Sequence, residues 1–505
     1  MVQLQDLPIE LLSHCLSFIK SRNLTRILSV KSLNRDGMLS ITPQIRYNLM
    51  NVSLVSRKFR DLAQPLLFRD FEENGDLDRL IRFLRAVIVR PQLGKYVHVV
   101  TMNPKGRGST EAFGEDLPKQ DSDLFTDTAQ ELGLGDEEEA WLRGINEVDA
   151  SSLLALLLTK TPNLRLLYFP GNTFSVGLLD TLVARDPSFL SNLEELHVTS
   201  DKERPNYCIA ALDNTLTLSR LKIVVSQLGV LMTNDILSSW APNTLPLERL
   251  YLLQSHVEYN SLKKLIQACK KLTHFTFVDC TTNRDYLRDW WREFDEADLH
   301  EALLPHQEYL EELGIDYFDK PFLRGPIESS AEFSEGRLPS LRDFTVLKYL
   351  IIPFSVLSSH PEFPPSLKRL KITHCDTSIW NITYCIATDC KKGRYPDLEQ
   401  VKLESSDINH RIELEGQKIP EGQTPEQYFW NLRNLFKDTN VDYQILSPLD
   451  PRIHVDDDSE EEDDFPGDDS PEHDFPEDEF SEYGFSDEYE TEGSIDPDDG
   501  IDQFI

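Results

Sequence analysis

Nine short phrases of the form Leu-x-x-Leu-x-Leu, with conservative swaps, set side chains suited to molecular recognition at a fixed spacing from leucine. They start at Leu164, Leu193, Leu218, Leu247, Leu272, Leu310, Leu341, Leu367 and Leu398. Side chains alternate along a strand, so the apolar positions of each phrase face one way and the residues among them face the other. That spacing puts Leu166 and Tyr168, Glu195 and His197, Arg220 and Lys222, Arg249 and Tyr251, and His274 and Thr276 on one surface. Glu312 and Gly314, Asp343 and Thr345, Arg369 and Lys371, and Gln400 and Lys402 continue it. Six Lys or Arg stand there against three carboxylates. Tyr168, His197, Arg220, Lys222, Arg249, Tyr251, His274, Arg369 and Lys371 are therefore the candidate binding residues, suited to a protein segment that is acidic or phosphorylated. The plain alternative is that these are solvated strand positions.

Covalent chemistry finds no comparable pattern. The sequence has no Gly-x-x-x-x-Gly-Lys loop, Gly-x-Gly-x-x-Gly turn, His-Glu-x-x-His helix or Gly-x-Ser-x-Gly elbow, so the expectation is a protein that is not an enzyme and takes no cofactor. His374, Cys375, Cys385 and Cys390 could be drawn as a zinc set. Cys375, however, belongs to the repeat phrase, and the other two thiols share one helix five residues apart, which makes them core thiols and leaves no metal site.

The elements that position these residues need a long chain. At 505 residues, 40% hydrophobic and 27% charged, it has room for a large core. Its net charge is -36, and from Ile453 to Ile505 there are 24 Asp or Glu and no Lys or Arg, leaving -12 for the first 452 residues. A body this acidic argues against nucleic acid as a partner. No apolar run reaches the length of a membrane span, and the start lacks the pattern of a secretory signal, so the expected location is cytoplasmic or nuclear, with no membrane partner. Seven cysteines, sparse and odd in number, read as reduced thiols.

Offsets of 29, 25, 29, 25, 38, 31, 26 and 31 between the phrases are those of a leucine-rich repeat with a few longer inserts. Each copy predicts a strand of two to four residues and a returning helix, and the copies stack because none buries its apolar face alone. Returning helices are expected at Val176 to Ala184, Ile236 to Trp240, Leu262 to Cys269 behind a capping Asn260 or Ser261, and Ile379 to Ala387. Tyr286 to Leu304 reads as an extra helix packed through Leu287, Trp290, Trp291 and Phe294. Asn172, Cys280 and Cys375 follow their strands as residues that satisfy turn backbone.

At the amino end, Leu7 to Ile19 carries Ile9, Leu12, Leu16 and Ile19 on one helical face, with Pro8 in the first turn. Asn51 to Phe68 repeats the logic through Val52, Val55, Phe59, Leu62 and Leu66, with a break at Pro65, and Asp76 to Arg90 forms a third amphipathic run. Lys20 to Arg46 reads as an inserted loop, and Pro104 to Glu147 as a polar surface excursion with one short helix near Glu137 to Gly144.

LPIELLSHCLSFI followed by VSLVSRKFRDLAQPLLF resembles the F-box, the helical motif that docks onto a Skp-type adaptor of cullin-based ubiquitin ligases, and the text after it is similar to fungal members of that family. The resemblance implies adaptor contacts at Leu7, Pro8, Glu10, Leu11, Leu12, Leu16, Val55, Ser56, Phe59 and Leu67. It also implies a cullin scaffold reached through the adaptor, and a substrate held on the concave face of the repeats. The insert at 20–46 is a departure from the family, and a leucine-rich scaffold outside any ligase is the alternative. The expected fold is α/β. A three-helix F-box at 1–70 precedes a linker helix, first repeat-like strand and polar loop at 71–163, a solenoid with parallel strands inside and helices outside at 164–447, and a disordered acidic tail at 448–505. That tail could fold back onto cationic strand positions, and Ser459 ahead of three glutamates suits an acid-directed kinase.

Overall fold

In a computed structural model, the structure describes residues 8, 10–12, 43–73, 77–102, 117–133, 138–186, 188–200, 207–232, 240–279, 296–317, 338–375, 379–405, 424, 427 and 431–446. The chain divides into two units, Met1–Val455 and Asp456–Ile505, and the second lies wholly outside these residues. So do the acidic tail, Ser459, Cys280, the 236–239 part of one expected helix and the Trp290 and Trp291 segment.

The leucine phrases become strands of a mixed α/β fold in which all pairings are parallel. In chain order the strands are β1 (Asp70–Glu73), β2 (Val99–Met102), β3 (Leu166–Gly171), β4 (Glu195–Ser200), β5 (Tyr207–Cys208), β6 (Ile223–Gln227) and β7 (Gly229–Leu231). They continue with β8 (Arg249–Val257), β9 (His274–Asp279), β10 (Glu312–Tyr317), β11 (Tyr349–Pro353), β12 (Arg369–Thr373), β13 (Gln400–Glu404) and β14 (Asp442–Leu446). Twelve of them lie side by side in the order they occur along the chain, while β5 pairs with β7 and β7 with the far end of β8. A parallel neighbour in strict chain order requires the chain to leave each strand's end and return on one side, and helices make several of those returns. Thr173–Arg185 joins β3 to β4, Tyr259–Ala268 joins β8 to β9, Glu296–Leu303 joins β9 to β10, and Trp380–Lys391 joins β12 to β13.

Strand alternation separates two faces. Leu167, Leu196, Val224, Leu250, Phe275, Leu313, Leu350, Leu370 and Val401 form one continuous register across nine strands. All are buried, and they share one core with Leu179, Leu265, Leu299 and Ile386 of the helices. Burying each large aliphatic side chain contributes roughly 1.5–3 kcal/mol, so the leucine period is what holds the stack together. From β2 to β13, leaving aside β5 and β7, each strand start is fixed by one repeated contact in which a single carbonyl accepts two successive amides of the next coil. Glu194 O takes Lys222 N and Ile223 N at 2.9 and 3.1 Å, and Glu248 O takes Thr273 N and His274 N at 2.7 and 3.2 Å. Lys348 O takes Lys368 N and Arg369 N at 2.8 and 3.0 Å.

Several expectations change. The principal strands run to five, six or nine residues rather than two to four. The stack also begins earlier than the nine phrases, with two strands, β1 and β2, at the stretch where one repeat-like strand was expected, and β14 follows the last phrase within the expected bounds of the solenoid. Two phrases are out of frame. Leu221, Val224 and Ser226, not Leu218, Leu221 and Ile223, align with Leu193, Leu196 and Val198. Leu341 likewise precedes its strand, which starts at Tyr349 with Leu347, Leu350 and Ile352 inward.

Part of the polar excursion at 104–147 is structural. Lys119–Gln130 and Glu138–Asn146 are helices that bury Phe125, Ala129, Trp141 and Ile145, and Trp141 Nε1 donates to Ser152 O at 2.9 Å. Asn260 and Ser261 lie within their helix, where Glu258 is the capping position, while Asn172 is an N-cap whose side chain accepts from Ser175 N at 2.8 Å. At the amino end the helix Pro43–Val55 starts inside the expected insert. The break falls at Ser56, whose Oγ accepts Phe59 N at 3.3 Å, and Pro65 is accommodated within Arg57–Leu67.

Candidate functional site

The face of the sheet opposite the helices carries most of the candidate binding residues. Its first row, read across the strands, is Leu166, Glu195, Ile223, Arg249, His274, Glu312, Tyr349, Arg369, Gln400 and Asp442. The second is Tyr168, His197, Val225, Tyr251, Thr276, Gly314, Ile351, Lys371, Lys402 and Gln444. Sequence spacing therefore located Tyr168, His197, Arg249, Tyr251, His274, Arg369 and Lys371 on this face and misplaced two others. Lys222 precedes β6 and pairs with Glu248 at 2.9 Å, and Arg220 is earlier still, donating to Asn192 Oδ1 at 2.9 Å. Ile223 and Val225 stand in their place, and Tyr349 and Ile351 stand where Asp343 and Thr345 were expected.

This replacement changes the chemistry of the face. With the third row included, Arg249, Arg369, Lys371 and Lys402 stand beside Glu195, Glu312, Asp316, Glu404 and Asp442, so the expected excess of cations is gone. Val225, Tyr251 and Leu253, with Ile223 and Val278 beside them, make a small apolar cluster separate from the main core. Several of the charged groups are tied to neighbouring side chains. His197 Nε2 lies 2.5 Å from Glu195 Oε1, Lys371 pairs with Glu404, and His374 Nε2 and Thr373 Oγ1 meet Asp316 Oδ1 at 3.0 and 2.9 Å. Arg369 lies over the Tyr349 ring, 5.5 Å from its centre, a favourable cation–π placement.

The middle of the first row is different. His274 Nε2 is 3.9 Å from Glu312 Oε2, but burial, reinforced by the Arg249 charge, pushes the imidazole down to about 4, so His274 is neutral at pH 7. Burial pushes the Glu312 carboxyl upward, with Arg249 opposing. Tyr251 is raised by burial first and then by the Glu312 charge, and Tyr168 is raised by burial against a hydrogen bond to Thr199. Among the described residues Arg249 makes no salt bridge. His197 Nδ1 and Thr276 Oγ1 are buried on the same face without a hydrogen-bond partner.

The amino-terminal set divides. Leu7 and Leu16 lie outside the described residues. Leu12 N donates to Pro8 O at 3.1 Å, and Leu12 is 2% exposed, whereas Pro8, Glu10 and Leu11 are exposed. Phe59 is buried, Ser56 and Leu67 are half-buried, and Val55 is 69% exposed. Tyr47, Met50 and Leu54 share one face of the helix Pro43–Val55 and are 55%, 48% and 70% exposed. Their helical spacing was present in the sequence. Starting the helix at Asn51 concealed it.

Cys375 is buried and donates to Ile372 O at 3.4 Å, and burial pushes the Cys390 thiol up to about 11, as befits core thiols. Among the described residues no helix is long and apolar enough to cross a membrane. No protein-family model matches the chain, and no curated protein matches it.

Proposed function

We propose that this chain is the non-catalytic substrate-recognition subunit of a cullin-type ubiquitin ligase. It would dock onto a Skp-type adaptor through an F-box at its amino end and hold substrate on the helix-free face of leucine-rich repeats. The observation that carries this reading is the set of large apolar side chains left in water at that end: Leu11, Tyr47, Met50, Leu54 and Val55. Exposed apolar side chains concentrated in one segment favour a protein partner, and each one buried on docking is worth roughly 1.5–3 kcal/mol. Mechanistically the chain raises the local concentration of substrate near a charged conjugating enzyme, and no bond is made or broken by its own residues.

The test is co-purification with a Skp-type adaptor and a cullin, comparing the intact chain with Leu54→Arg and Val55→Arg. Both positions are exposed, so folding should be untouched while adaptor retention falls by at least an order of magnitude. A second reading, a leucine-rich scaffold outside any ligase, is favoured by one observation: Leu12 and Phe59, expected to face the adaptor, are buried by this chain itself. An intact chain that retains no adaptor would decide for it.

A further inference from the structure

The first row of the helix-free face alternates in charge on every second strand. Glu195 on β4, Arg249 on β8, Glu312 on β10, Arg369 on β12 and Asp442 on β14 follow one another with one strand between each neighbouring pair. Two strand spacings are about 9.5 Å, too far for these charges to neutralise one another directly. One turn of polyproline II helix, three residues long, rises about 9.3 Å and returns the side chain to the same face, almost the same interval. The separators carry no competing charge, since Ile223 and Tyr349 are uncharged and His274 is neutral at pH 7.

We propose that this row binds a segment of a partner protein in the polyproline II conformation, laid across the strands, whose charged residues fall at every third position in the order basic, acidic, basic, acidic. Arg249 and Glu312 are the centre of the site. Each is half-buried, and neither has an oppositely charged side chain at ion-pair distance among the described residues, apart from the neutral His274 beside Glu312. A partially desolvated charge left in that state costs free energy that a complementary ligand charge recovers, so these two positions set the register of the ligand. The half-buried Ile223 and Tyr349 supply apolar surface for the intervening residues. This deepens the receptor reading and rests on it, replacing the uniformly acidic partner expected from spacing with a charge-alternating one.

The experiment uses the full chain and a labelled peptide of about thirteen residues with Lys and Asp alternating at every third position. Its control has the same composition with the charges in two blocks. The patterned peptide should bind at least tenfold more tightly at low salt, and the double charge swap Arg249→Glu with Glu312→Arg should reverse the preference toward a peptide whose two central charges are exchanged. Arg369→Glu, at an exposed position, gives a second variant whose folding is not at risk and should weaken the patterned peptide severalfold. Equal affinity for the two peptides, or no binding up to about 1 mM, overturns the proposal. Adaptor retention, measured on the same preparations, bears on the receptor reading alone, so the two can fail separately.

Discussion

The Tyr207 hydroxyl lies 2.7 Å from Ser226 Oγ and donates to the Val198 carbonyl at 2.9 Å, tying the side strand β5 to β4 and β6 at once. Both side chains are buried. Tyr207→Phe removes the shared partner and leaves Ser226 to find another inside the core, so the expected loss is about 1–3 kcal/mol in urea unfolding. A variant as stable as the parent would show that these hydrogen bonds are replaceable.

Acid should loosen the middle of the stack. His306 Nε2 meets Ile266 O at 2.9 Å and its Nδ1 accepts Leu272 N at 3.4 Å, an arrangement that needs the neutral ring, and burial depresses its protonation. His274 is depressed likewise, to about 4. Above pH 6.5 folded and unfolded imidazoles are both neutral and stability is undiminished; below it the unfolded chain takes up protons first, and stability falls until His274 itself protonates near pH 4. Denaturation midpoints compared between neutral pH and mildly acidic buffers should show this slope, and His274→Gln together with His306→Gln should flatten it.

Gly94 sits where the return to β2 touches the chain before β3. A Cβ there would overlap the Lys160 carbonyl oxygen and crowd Val87, and neither backbone can withdraw without disturbing the strand starts. Gly94→Ala should therefore destabilise by at least about 1–3 kcal/mol, read as a lowered thermal midpoint, although alanine is otherwise the better residue.

Asp180 anchors the helix Thr173–Arg185 to the following coil. Its carboxylate accepts from Thr215 N at 2.8 Å, Thr215 Oγ1 at 2.9 Å and Asn214 Nδ2 at 2.8 Å. Asp180→Ala strands a buried Thr215 and should cost about 2 kcal/mol, whereas Asp180→Asn should recover part of it. Hydrogen exchange at the Thr215 amide is the direct readout.

What the sequence made visible was the part governed by period. Inward leucines at Leu167, Leu196, Leu250, Leu313 and Leu370 followed from spacing alone. Frame was harder, because Leu218, Leu221 and Ile223 satisfy the phrase better than Leu221, Val224 and the polar Ser226 do. The choice is made by the Glu194 carbonyl, which takes the amides of Lys222 and Ile223 and so sets where β6 begins. Two charges left the face through that slip of three residues, and the alternating row came into view only once Ile223 replaced them. In the same way Phe125 and Trp141 sit in helices so polar elsewhere that composition hid their share of the core.

The strict succession of strands gives the molecule an unequal resistance to tension. From β9 to β14 each described strand pairs through its backbone with the strands before and after it alone, so a pull at the carboxyl side would peel that half away ledge by ledge, at modest force and with repeated small extensions. Toward the amino side, β5 and β7 stitch β8 to the chain that precedes it, and that segment should resist and then rupture as one piece. An unfoldase drawing on the carboxyl end would meet its hardest step only after the carboxyl half had come away.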